Sequence, residues 1–268
     1  MPKVKNLLAQ LPPAEVIDIE AIRSGLASGE IELVCVLGPT ASGKTRYAVG
    51  LARELGGEII SADSRQVYRG MDIGTGKDLS EYGSVPYHLI DIADPGDGYN
   101  VFRFKEDFFA AYDSIRSRGA VPILCGGTGL YINAVTSGYD FRTTKPLSAP
   151  SNVMPDMIGH LHAPRTFFIG TLVTREVRNA RIDARLDARL QEGMIDEIRG
   201  LLDGGVPPQV LLAYGLEYKY VTMYLLGELD YASMREKLAT AIHQFAKRQM
   251  TWFRGMERSG AVIHWTEV

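Results

Sequence analysis

Cysteine is nearly absent from this 268-residue chain, which contains only Cys35 and Cys125. Both lie in apolar runs that predict strands, so we expect two small buried side chains rather than a disulfide framework or a cysteine-based metal site. The low cysteine content also fits a protein of the reducing cytoplasm.

Long hydrophobic runs are missing as well, since no apolar stretch approaches the ~18 residues of a membrane-spanning helix. Residues 1–21 contain two adjacent prolines and scattered charges where a signal peptide needs an apolar core. We therefore expect no membrane association. We interpret residues 1–30 as a leader with a short helix and residues 31–268 as one domain.

Positive and negative charges are nearly balanced. The chain has 29 Lys and Arg residues and 32 Asp and Glu residues, which gives a net charge of −3. This balance excludes a globally basic nucleic-acid-binding protein, but it permits a local basic face. The hydrophobic content of 46% is that of a globular protein with a substantial core.

The strongest positive signal is the segment GPTASGKT at residues 38–45, which has the phosphate-loop (P-loop) spacing G-x-x-x-x-G-K-[ST]. It lies between an apolar run and a predicted helix, and that strand–loop–helix context is what the motif requires. Glycines let backbone N–H groups turn toward an anion, and the helix N-terminus adds partial positive charge. The residues predicted to bind a diphosphate or triphosphate are Gly38, Thr40, Ala41, Ser42, Gly43, Lys44 and Thr45, with the Thr45 hydroxyl as a ligand for Mg²⁺.

Strands and helices alternate along the chain, which predicts a P-loop NTPase-like α/β fold, a parallel sheet with helices on both faces. The predicted strands cover residues 31–37, 58–62, 87–92, 121–125, 166–172 and 261–265. Besides the helix after the P-loop, the predicted helices cover residues 101–118, 174–202, 213–227 and 231–254. Residues 126–129 predict a flexible turn, and four prolines predict a loop with at most a short helical piece over residues 136–164.

Two aspartates are candidates for chemistry because each follows an apolar run. Asp63 comes after the strand over residues 58–62, at the carboxyl edge of the predicted sheet, where ligands bind. It can take a proton from an attacking group or hold magnesium through water. Asp91 is a rival for the metal role, since an apolar run ending in aspartate is typical of magnesium-holding carboxylates in P-loop enzymes. A turn-forming or helix-capping aspartate is the structural alternative.

Basic residues cluster on two predicted helix faces in the C-terminal half. At about 100° per residue, five arginines of the helix over residues 174–202 fall within an arc of about 120°. They are Arg175, Arg178, Arg181, Arg185 and Arg189. Guanidinium groups match phosphate oxygens, so this face can close over the diphosphate. The alternative is a solvated surface or a face that pairs with another helix. The last helix places His243 and Lys247 on a face that is either a nucleic-acid contact or a solvated side.

Together these segments resemble the tRNA dimethylallyltransferase family, also called tRNA isopentenyltransferases. The matching segments occur in the family's order and are GPTASGKT (38–45), SADSRQVYRGMDIGTGK (61–77), YHLIDI (87–92), GGTGLYI (126–132), RIDARLDARLQEGMIDEIRGLL (181–202) and AKRQMTWFR (246–254). The resemblance implies dimethylallyl diphosphate as donor, Mg²⁺ as cofactor and N6 of an adenine as acceptor. Adenylate isopentenyltransferases, which act on free nucleotides, are similar relatives.

The resemblance also implies a role for each matched residue. Lys44, Mg²⁺ at Thr45 and an arginine of the long helix, Arg181 with Arg185 beside it, would stabilise the leaving diphosphate. Asp63 would accept the proton of the attacking amine, and Thr128 matches a contact to the acceptor. The acceptor-binding residues implied are Asp63, Ser64, Arg65, Gln66, His243 and Lys247.

Three departures from the family pattern lie in the parts that grip tRNA. Residues 136–164 are short and rich in proline where members carry a helical insertion, so we expect a reduced insertion. A basic residue usual near position 212 is replaced by leucine, and His243 stands where arginine is usual. These departures argue for a weaker grip on tRNA and leave free AMP, ADP or ATP as an alternative acceptor.

We expect the acceptor to be the tRNA adenosine 3′ of the anticodon. The expected partners are dimethylallyl diphosphate and the tRNA anticodon arm, bound by a cytoplasmic monomer. Two alternatives of other classes stay open from the P-loop alone: a kinase that uses ATP, and a nucleotide-binding module without catalysis.

Overall fold

The computed structural model describes residues 11–137 and 163–268. The predicted loop and reduced insertion at residues 136–164 therefore lie almost wholly outside the described residues. The same holds for the first ten residues of the predicted leader.

Six parallel strands form one sheet in the described part of the chain. They are β1 (Leu33–Leu37), β2 (Gly57–Ser61), β3 (Tyr87–His88), β4 (Val121–Gly126), β5 (Thr166–Leu172) and β6 (Ile263–Glu267). Their order in the sheet is β3-β2-β4-β1-β5-β6, with β1 paired to β4 on one side and to β5 on the other. The predicted parallel sheet is confirmed, with the P-loop strand at its centre.

Nine α-helices surround the sheet among the described residues. They are α1 (Ile19–Ser28), α2 (Lys44–Leu55), α3 (Val101–Ser117), α4 (Gly129–Thr136), α5 (Arg175–Glu192), α6 (Met194–Asp203), α7 (Pro208–Ala213), α8 (Leu216–Leu225) and α9 (Tyr231–Arg258). A short 3₁₀ helix covers Leu79–Glu81.

Side chains of β1 alternate between two hydrophobic clusters, which explains how the sheet is covered on both faces. Leu33, Cys35 and Leu37 pack into the larger cluster, with buried residues of α3, α4, α5, α8 and α9. Val34 and Val36 pack into the smaller one, with α1 and α2. Successive residues of a strand point to opposite faces, so a continuous apolar run is what a strand covered on both sides requires. Helices on both faces are thus confirmed.

The predicted strand over residues 87–92 is mostly wrong, because only Tyr87–His88 pairs with β2. Leu89 and Asp91 have left-handed backbone, with φ of 62° and 56°, which ends the extended strand. The Asp91 carboxylate instead accepts a hydrogen bond from the Lys77 ammonium group, whose side chain is fully buried. This ion pair, together with backbone hydrogen bonds from the Asp91 and Ile92 N–H groups to the carbonyls of residues 66 and 67, holds the segment outside the sheet.

The long helix predicted over residues 174–202 is two helices. Gly193 has φ of 108° and closes α5 with a hydrogen bond from its N–H to the Arg189 carbonyl, after which α6 starts at Met194. A left-handed glycine at this position is a common helix ending. Helices α4 and α7 were not predicted, and the helix predicted from residue 213 begins at Leu216.

Residues of the predicted leader pack on the sheet domain. Asp18 caps α1 by accepting a hydrogen bond from the Ala21 N–H at 3.0 Å, so the predicted short helix is present. Ile22 of this helix is buried against the smaller cluster, and the Glu15 N–H donates to the Trp265 carbonyl of β6 at 2.6 Å.

One expectation from composition agrees with the structure. Cys35 and Cys125 are free and buried, as predicted. In residues 11–137 and 163–268, no helix has both the length and the apolar character needed to cross a membrane.

Candidate active site

The P-loop joins the carboxyl end of β1 to the start of α2. Gly43 caps α2 with φ of 86° and offers no side chain, so the first N–H groups of the helix receive no side-chain cap. A Cβ at Gly38 would lie 2.1 Å from the Thr171 hydroxyl oxygen of β5, so only glycine fits there. Both glycines are thus required by the backbone path that leaves α2 open to an anion.

Ser42 stabilises the P-loop through hydrogen bonds to buried protein groups. Its side chain is fully buried, and its hydroxyl shares a 2.6 Å hydrogen bond with the Thr171 hydroxyl. Its backbone N–H donates to the Pro39 carbonyl at 3.3 Å. The structure directs both polar groups of Ser42 to the protein, and its predicted contact with diphosphate stays a prediction.

A cavity of about 420 Å³ lies over the P-loop, and we call it the P-loop cavity. The predicted residues that line it are Thr40, Ala41, Gly43, Lys44, Thr45, Asp63, Gln66, Arg181 and Arg185. Asp78 and Glu81 add two carboxylates to its wall. The sequence therefore identified nine of the nineteen residues that line this cavity.

Lys44 and Arg185 bring two neighbouring cations to the P-loop cavity. Burial lowers the pKa of the Lys44 ammonium group, and the neighbouring Arg185 and Arg189 act in the same direction. Burial, followed by the effect of Arg189, lowers the pKa of the Arg185 guanidinium to about 10. Cations that lower one another's pKa values gain most from a bound anion, so the cavity is suited to a multiply charged phosphate group.

A second cavity of about 260 Å³, the inner cavity, adjoins the first. Thr40, Lys44, Asp63, Thr75 and Arg185 line both cavities. The inner cavity also contains the predicted residues Ser64, Arg65 and Thr128, together with the aromatic rings of Tyr214, Tyr218 and Phe245. Asp63 and Lys44 thus stand where a phosphate-binding space meets a space with aromatic walls.

Asp63 is held by hydrogen bonds at the ends of two adjacent strands. Its Oδ1 accepts from the Arg65 N–H at 2.9 Å, and the Thr128 hydroxyl oxygen accepts from the Ser64 N–H at 3.2 Å. A Cβ at Gly126 would lie 2.4 Å from the Ala62 carbonyl oxygen. The glycine at the end of β4 therefore permits the close approach that brings Thr128 to the segment carrying Asp63.

Gln249 is a site residue that the sequence did not single out. Its Oε1 accepts from the Thr40 N–H at 2.8 Å, and its Nε2 donates to the Gly127 carbonyl at 3.0 Å. The Thr40 hydroxyl also accepts a hydrogen bond from Arg185 of α5. Two helices distant in sequence thus fix the P-loop, and the only sequence signal for Gln249 was its place inside AKRQMTWFR.

Glu217 and Glu197 are two further carboxylates that local sequence patterns did not single out. Burial raises the pKa of Glu217 in the wall of the inner cavity, against the opposing effects of Arg189 and Arg185. Glu197 accepts hydrogen bonds from three consecutive N–H groups, at residues 72–74, and from the Tyr218 hydroxyl. Glu197 therefore fixes the loop over residues 70–77, which we call the glycine-rich loop, at the rim of both cavities.

Gln66 and Arg65 line the cavities, but their side chains also bind other parts of the protein, and Asp91 lies elsewhere. Gln66 bridges β2 and the glycine-rich loop, because its Oε1 accepts from the Ser61 hydroxyl and its Nε2 donates to the Gly76 carbonyl. The Arg65 guanidinium packs over the Tyr214 ring, 5.6 Å from its centroid. Asp91 is not among the described residues that line either cavity.

His243 and Lys247 line a separate groove between the first turns of α5 and the C-terminal half of α9. We call it the basic groove, after its basic residues Arg175, Arg178, His243, Lys247, Arg254 and Arg258. His243 Nε2 lies 2.9 Å from Asp183 Oδ1. The predicted acceptor-binding residues are thus divided among three places. Asp63, Ser64 and Arg65 line the inner cavity, Gln66 lines the P-loop cavity, and His243 and Lys247 line this groove.

Comparison with known proteins connects these features to a family. A family model described as IPP transferase matches residues 66–158 and 141–256, and one described as isopentenyl transferase matches residues 31–82. The chain is 50% identical to tRNA dimethylallyltransferase 1 of Porphyromonas gingivalis, over 88% of this chain and 93% of that protein. The chain belongs to the IPP transferase family.

A second relative and a solved structure agree with this membership. The chain is 45% identical to tRNA dimethylallyltransferase 1 of Parabacteroides distasonis, over 88% of this chain and 92% of that protein. The structure of the full-length tRNA isopentenylpyrophosphate transferase from Bacillus halodurans superposes with a TM-score of 0.75 at 33% identity, covering 88% of this chain and 89% of that one. The resemblance and the P-loop fold inferred from the sequence are both confirmed.

Proposed function

We propose that this chain transfers a dimethylallyl group from dimethylallyl diphosphate to N6 of an adenine, the tRNA adenosine that lies 3′ of the anticodon. The observation that carries the proposal is the junction of the P-loop cavity and the inner cavity at Asp63 and Lys44. A diphosphate in the first cavity and an adenine in the second meet there, beside a carboxylate and an ammonium group. The relatives named tRNA dimethylallyltransferases support tRNA as the acceptor.

The donor's diphosphate binds in the P-loop cavity. In the reaction its bond to the allylic C1 breaks, and the electron pair of that bond stays on the diphosphate. Lys44 and Arg185 stabilise this growing negative charge, and burial, followed by their neighbouring arginines, lowers the pKa of each. Arg181, exposed at the cavity wall, adds a further guanidinium group.

Magnesium fits the oxygen donors of the P-loop cavity. The Thr45 hydroxyl would hold the ion directly, with Asp78 and Glu81 supplying further oxygen atoms in the same wall. Within the described residues no cluster of three or more His, Cys, Asp or Glu side chains could hold a metal by itself. Mg²⁺ usually keeps several water ligands and takes others from substrate phosphates, so it needs few ligands from the protein. The bound ion would supply positive charge to the leaving diphosphate.

The acceptor adenine occupies the inner cavity. Its N6 attacks the allylic carbon, a C–N bond forms, and Asp63 takes the proton that N6 loses. Thr128 and Ser64 position the edge of the base beside Asp63, and the ring of Phe245 offers a surface for stacking. An enzyme that modifies a base needs it unstacked, which suits an adenosine of a tRNA loop. We further propose that the protein acts in the cytoplasm as a monomer, since one chain supplies both cavities.

Arg185→Lys is expected to reduce kcat/KM for the donor more than Arg181→Lys does. Arg185 lines both cavities and donates a hydrogen bond to the Thr40 hydroxyl. The single ammonium group of the substituted lysine cannot bind both Thr40 and the diphosphate as a guanidinium group can. Loss of one charged hydrogen bond corresponds to about a tenfold to hundredfold decrease. Steady-state kinetics with varied donor measure the two effects. A larger loss in Arg181→Lys would place the diphosphate at the outer wall instead.

The proposed function is tested by comparing acceptors for labelled dimethylallyl diphosphate. An anticodon stem–loop, free AMP and ATP alone are incubated with the protein and Mg²⁺ at low and moderate salt. We expect label on the stem–loop, with activity that falls steeply as salt rises. Efficient labelling of AMP with none of the stem–loop would establish an adenylate isopentenyltransferase, and ATP turnover without label transfer would establish a kinase.

A further inference from the structure

Arg189 is a nearly buried cation of α5 to which the proposed reaction gives no role. It is 7% exposed and lines the inner cavity. Within residues 11–137 and 163–268 its guanidinium group forms no hydrogen bond, and its one ion-pair contact is long, with 4.0 Å between Arg189 Nη2 and Asp78 Oδ2. A guanidinium group that is buried and so loosely paired is free to bind another anion.

The guanidinium group of Arg189 lies against the glycine-rich loop, beside the P-loop cavity. A Cβ at Gly76 would lie 1.9 Å from Arg189 Nη2, so the arginine occupies the space that a side chain at this position would fill. Gly76 and Asp78 both line the P-loop cavity. After burial, Arg189 is also the neighbour that most lowers the pKa of Arg185, to about 10. Arg189 therefore belongs to the group of cations around the diphosphate site.

Glu217 approaches the same arginines from the first turn of α8. Its half-buried side chain lines the inner cavity, and it meets Arg185 and Arg189 around a closed space of about 10 Å³. The other described residues around this space are apolar: Ile182, Leu186 and Ile242. Burial raises the pKa of Glu217, whereas a hydrogen bond from its own N–H, and then the charges of Arg189 and Arg185, lower it. The two guanidinium groups are therefore the charges that compensate Glu217 between α5 and α8.

Arg189 thus lies between two places where negative charge can meet it. One is the carboxylate of Glu217 in the inner cavity, and the other is a diphosphate in the P-loop cavity. Arg185 is different, because its hydrogen bond to the Thr40 hydroxyl holds it at the P-loop. Since no hydrogen bond holds Arg189, its guanidinium group can turn from one anion to the other, and binding to either reduces what it gives to the other.

We propose that Arg189 is a further cation for the diphosphate and that Glu217 competes with the diphosphate for it. This inference rests on the proposed function, because the diphosphate is that of the dimethylallyl donor before transfer and the released product after it. The competition lowers the affinity of the site for diphosphate, which favours release of the product. Glu217 is a positioning residue, since it acts on the diphosphate through Arg189.

The test is a double-mutant cycle on the binding of inorganic diphosphate, measured by calorimetry with Mg²⁺ at one salt concentration. Glu217→Gln should lower Kd by about threefold to tenfold, because the apparent affinity is reduced by the fraction of empty molecules in which Arg189 faces Glu217. Arg189→Gln should raise Kd by about tenfold to hundredfold, the loss of one charged hydrogen bond. The double variant should have the Kd of Arg189→Gln, since Glu217 then has nothing to compete for.

Two further measurements separate this role from a merely structural one. Glu217→Asp keeps the carboxylate, so its Kd should lie closer to that of the unsubstituted protein than to that of Glu217→Gln. Inhibition of prenyl transfer by added diphosphate should become stronger in Glu217→Gln by the same factor as Kd falls. Poor folding weakens binding, so a damaged structure cannot produce the lower Kd expected of Glu217→Gln.

Glu228→Gln and Arg199→Gln are the matched controls, because they remove the same charges at exposed positions outside the described linings of both cavities. Neither should change the Kd for diphosphate.

An unchanged or higher Kd in Glu217→Gln, with stem–loop prenylation by the unsubstituted protein intact, would overturn this inference alone. So would an equal decrease in Kd on Glu217→Gln with and without Arg189, because the effect would then not pass through Arg189. The expected cycle in a protein that turns over ATP without prenyl transfer would overturn the proposed function and support the competition. Absence of both diphosphate binding and prenyl transfer in the unsubstituted protein would overturn the two together.

Discussion

Asp63→Asn is expected to reduce the rate of prenyl transfer by about 10²–10⁴-fold, because an amide cannot accept the proton that N6 loses. The amide oxygen of asparagine can still accept the hydrogen bond from the Arg65 N–H, so the local backbone should be kept. Affinity for dimethylallyl diphosphate should change little, since the phosphate-binding cations are untouched. Single-turnover rates with saturating donor and stem–loop, together with donor Kd, separate the two effects.

Asp91→Asn is the matched control for Asp63→Asn. Asp91 accepts a hydrogen bond from the buried Lys77 ammonium group and lies outside the described linings of both cavities. Its replacement should lower the melting temperature, because the buried Lys77 side chain loses one of its two carboxylate partners, while kcat stays close to that of the unsubstituted protein. A near-normal rate in Asp63→Asn combined with a large loss in Asp91→Asn would transfer the catalytic role to Asp91.

Lys44→Ala is expected to weaken donor binding and also to lower kcat by about 10²–10³-fold, the usual range for removing one group that stabilises developing negative charge. Lys44 lines both cavities, so its ammonium group is near the bond that breaks. Removal of the Lys44 charge should not destabilise the folded protein. Burial, and then the nearby Arg185 and Arg189, lowers the pKa of Lys44, so its charge is less favourable in the folded protein than in the unfolded chain.

Lys219→Ala provides a control in which a lysine on the surface of α8 is removed, with its ammonium 5.7 Å from the Tyr220 ring centroid. It should leave donor Kd and kcat unchanged. Calorimetric titration with dimethylallyl diphosphate and with inorganic diphosphate measures donor binding in each variant. Equal donor affinity in Lys44→Ala and the unsubstituted protein would mean that the diphosphate does not bind at the P-loop.

The P-loop and Asp63 could be predicted because their signals are local. A motif with fixed spacing specifies a backbone path, and an apolar run marks the strand that delivers Asp63 to the sheet edge. The contact of Thr128 with the Asp63 segment followed from the order of parallel strands and a resemblance. The structure adds the junction of the two cavities at Asp63 and Lys44. This junction depends on how elements distant in sequence pack together, so it has no local signal in the sequence.

Gln249 shows why part of the site was missed. Periodicity along α9 selects polar residues on its exposed side, whereas Gln249 is buried among apolar neighbours of the same helix. Its partners, Thr40 and Gly127, are more than 100 positions away in sequence. A buried polar residue in a helix indicates that a partner exists, but the sequence alone does not identify that partner.

The five arginines of α5 were predicted to form one surface, which we call the arginine stripe. In the structure they line different cavities, and Arg189 lines the inner cavity. Arg181 and Arg185 line the P-loop cavity, whereas Arg175 and Arg178 line the basic groove. Asp183 and Asp187, on the other side of α5, are used by α9: Asp187 accepts two hydrogen bonds from Arg235, each at 2.7 Å. Helical periodicity gives the direction of each side chain, and only the packing of α5 against α9 divides the stripe.

The most direct test of the account is to locate the transferred group on the acceptor. An anticodon stem–loop is prenylated with labelled dimethylallyl diphosphate, digested to nucleosides and analysed by mass spectrometry, beside a stem–loop with purine riboside in place of the adenosine 3′ of the anticodon. The account predicts one dimethylallyl group on N6 of that adenosine and no label on the purine-containing stem–loop. Label of equal amount on both stem–loops, or on another nucleoside, would contradict it.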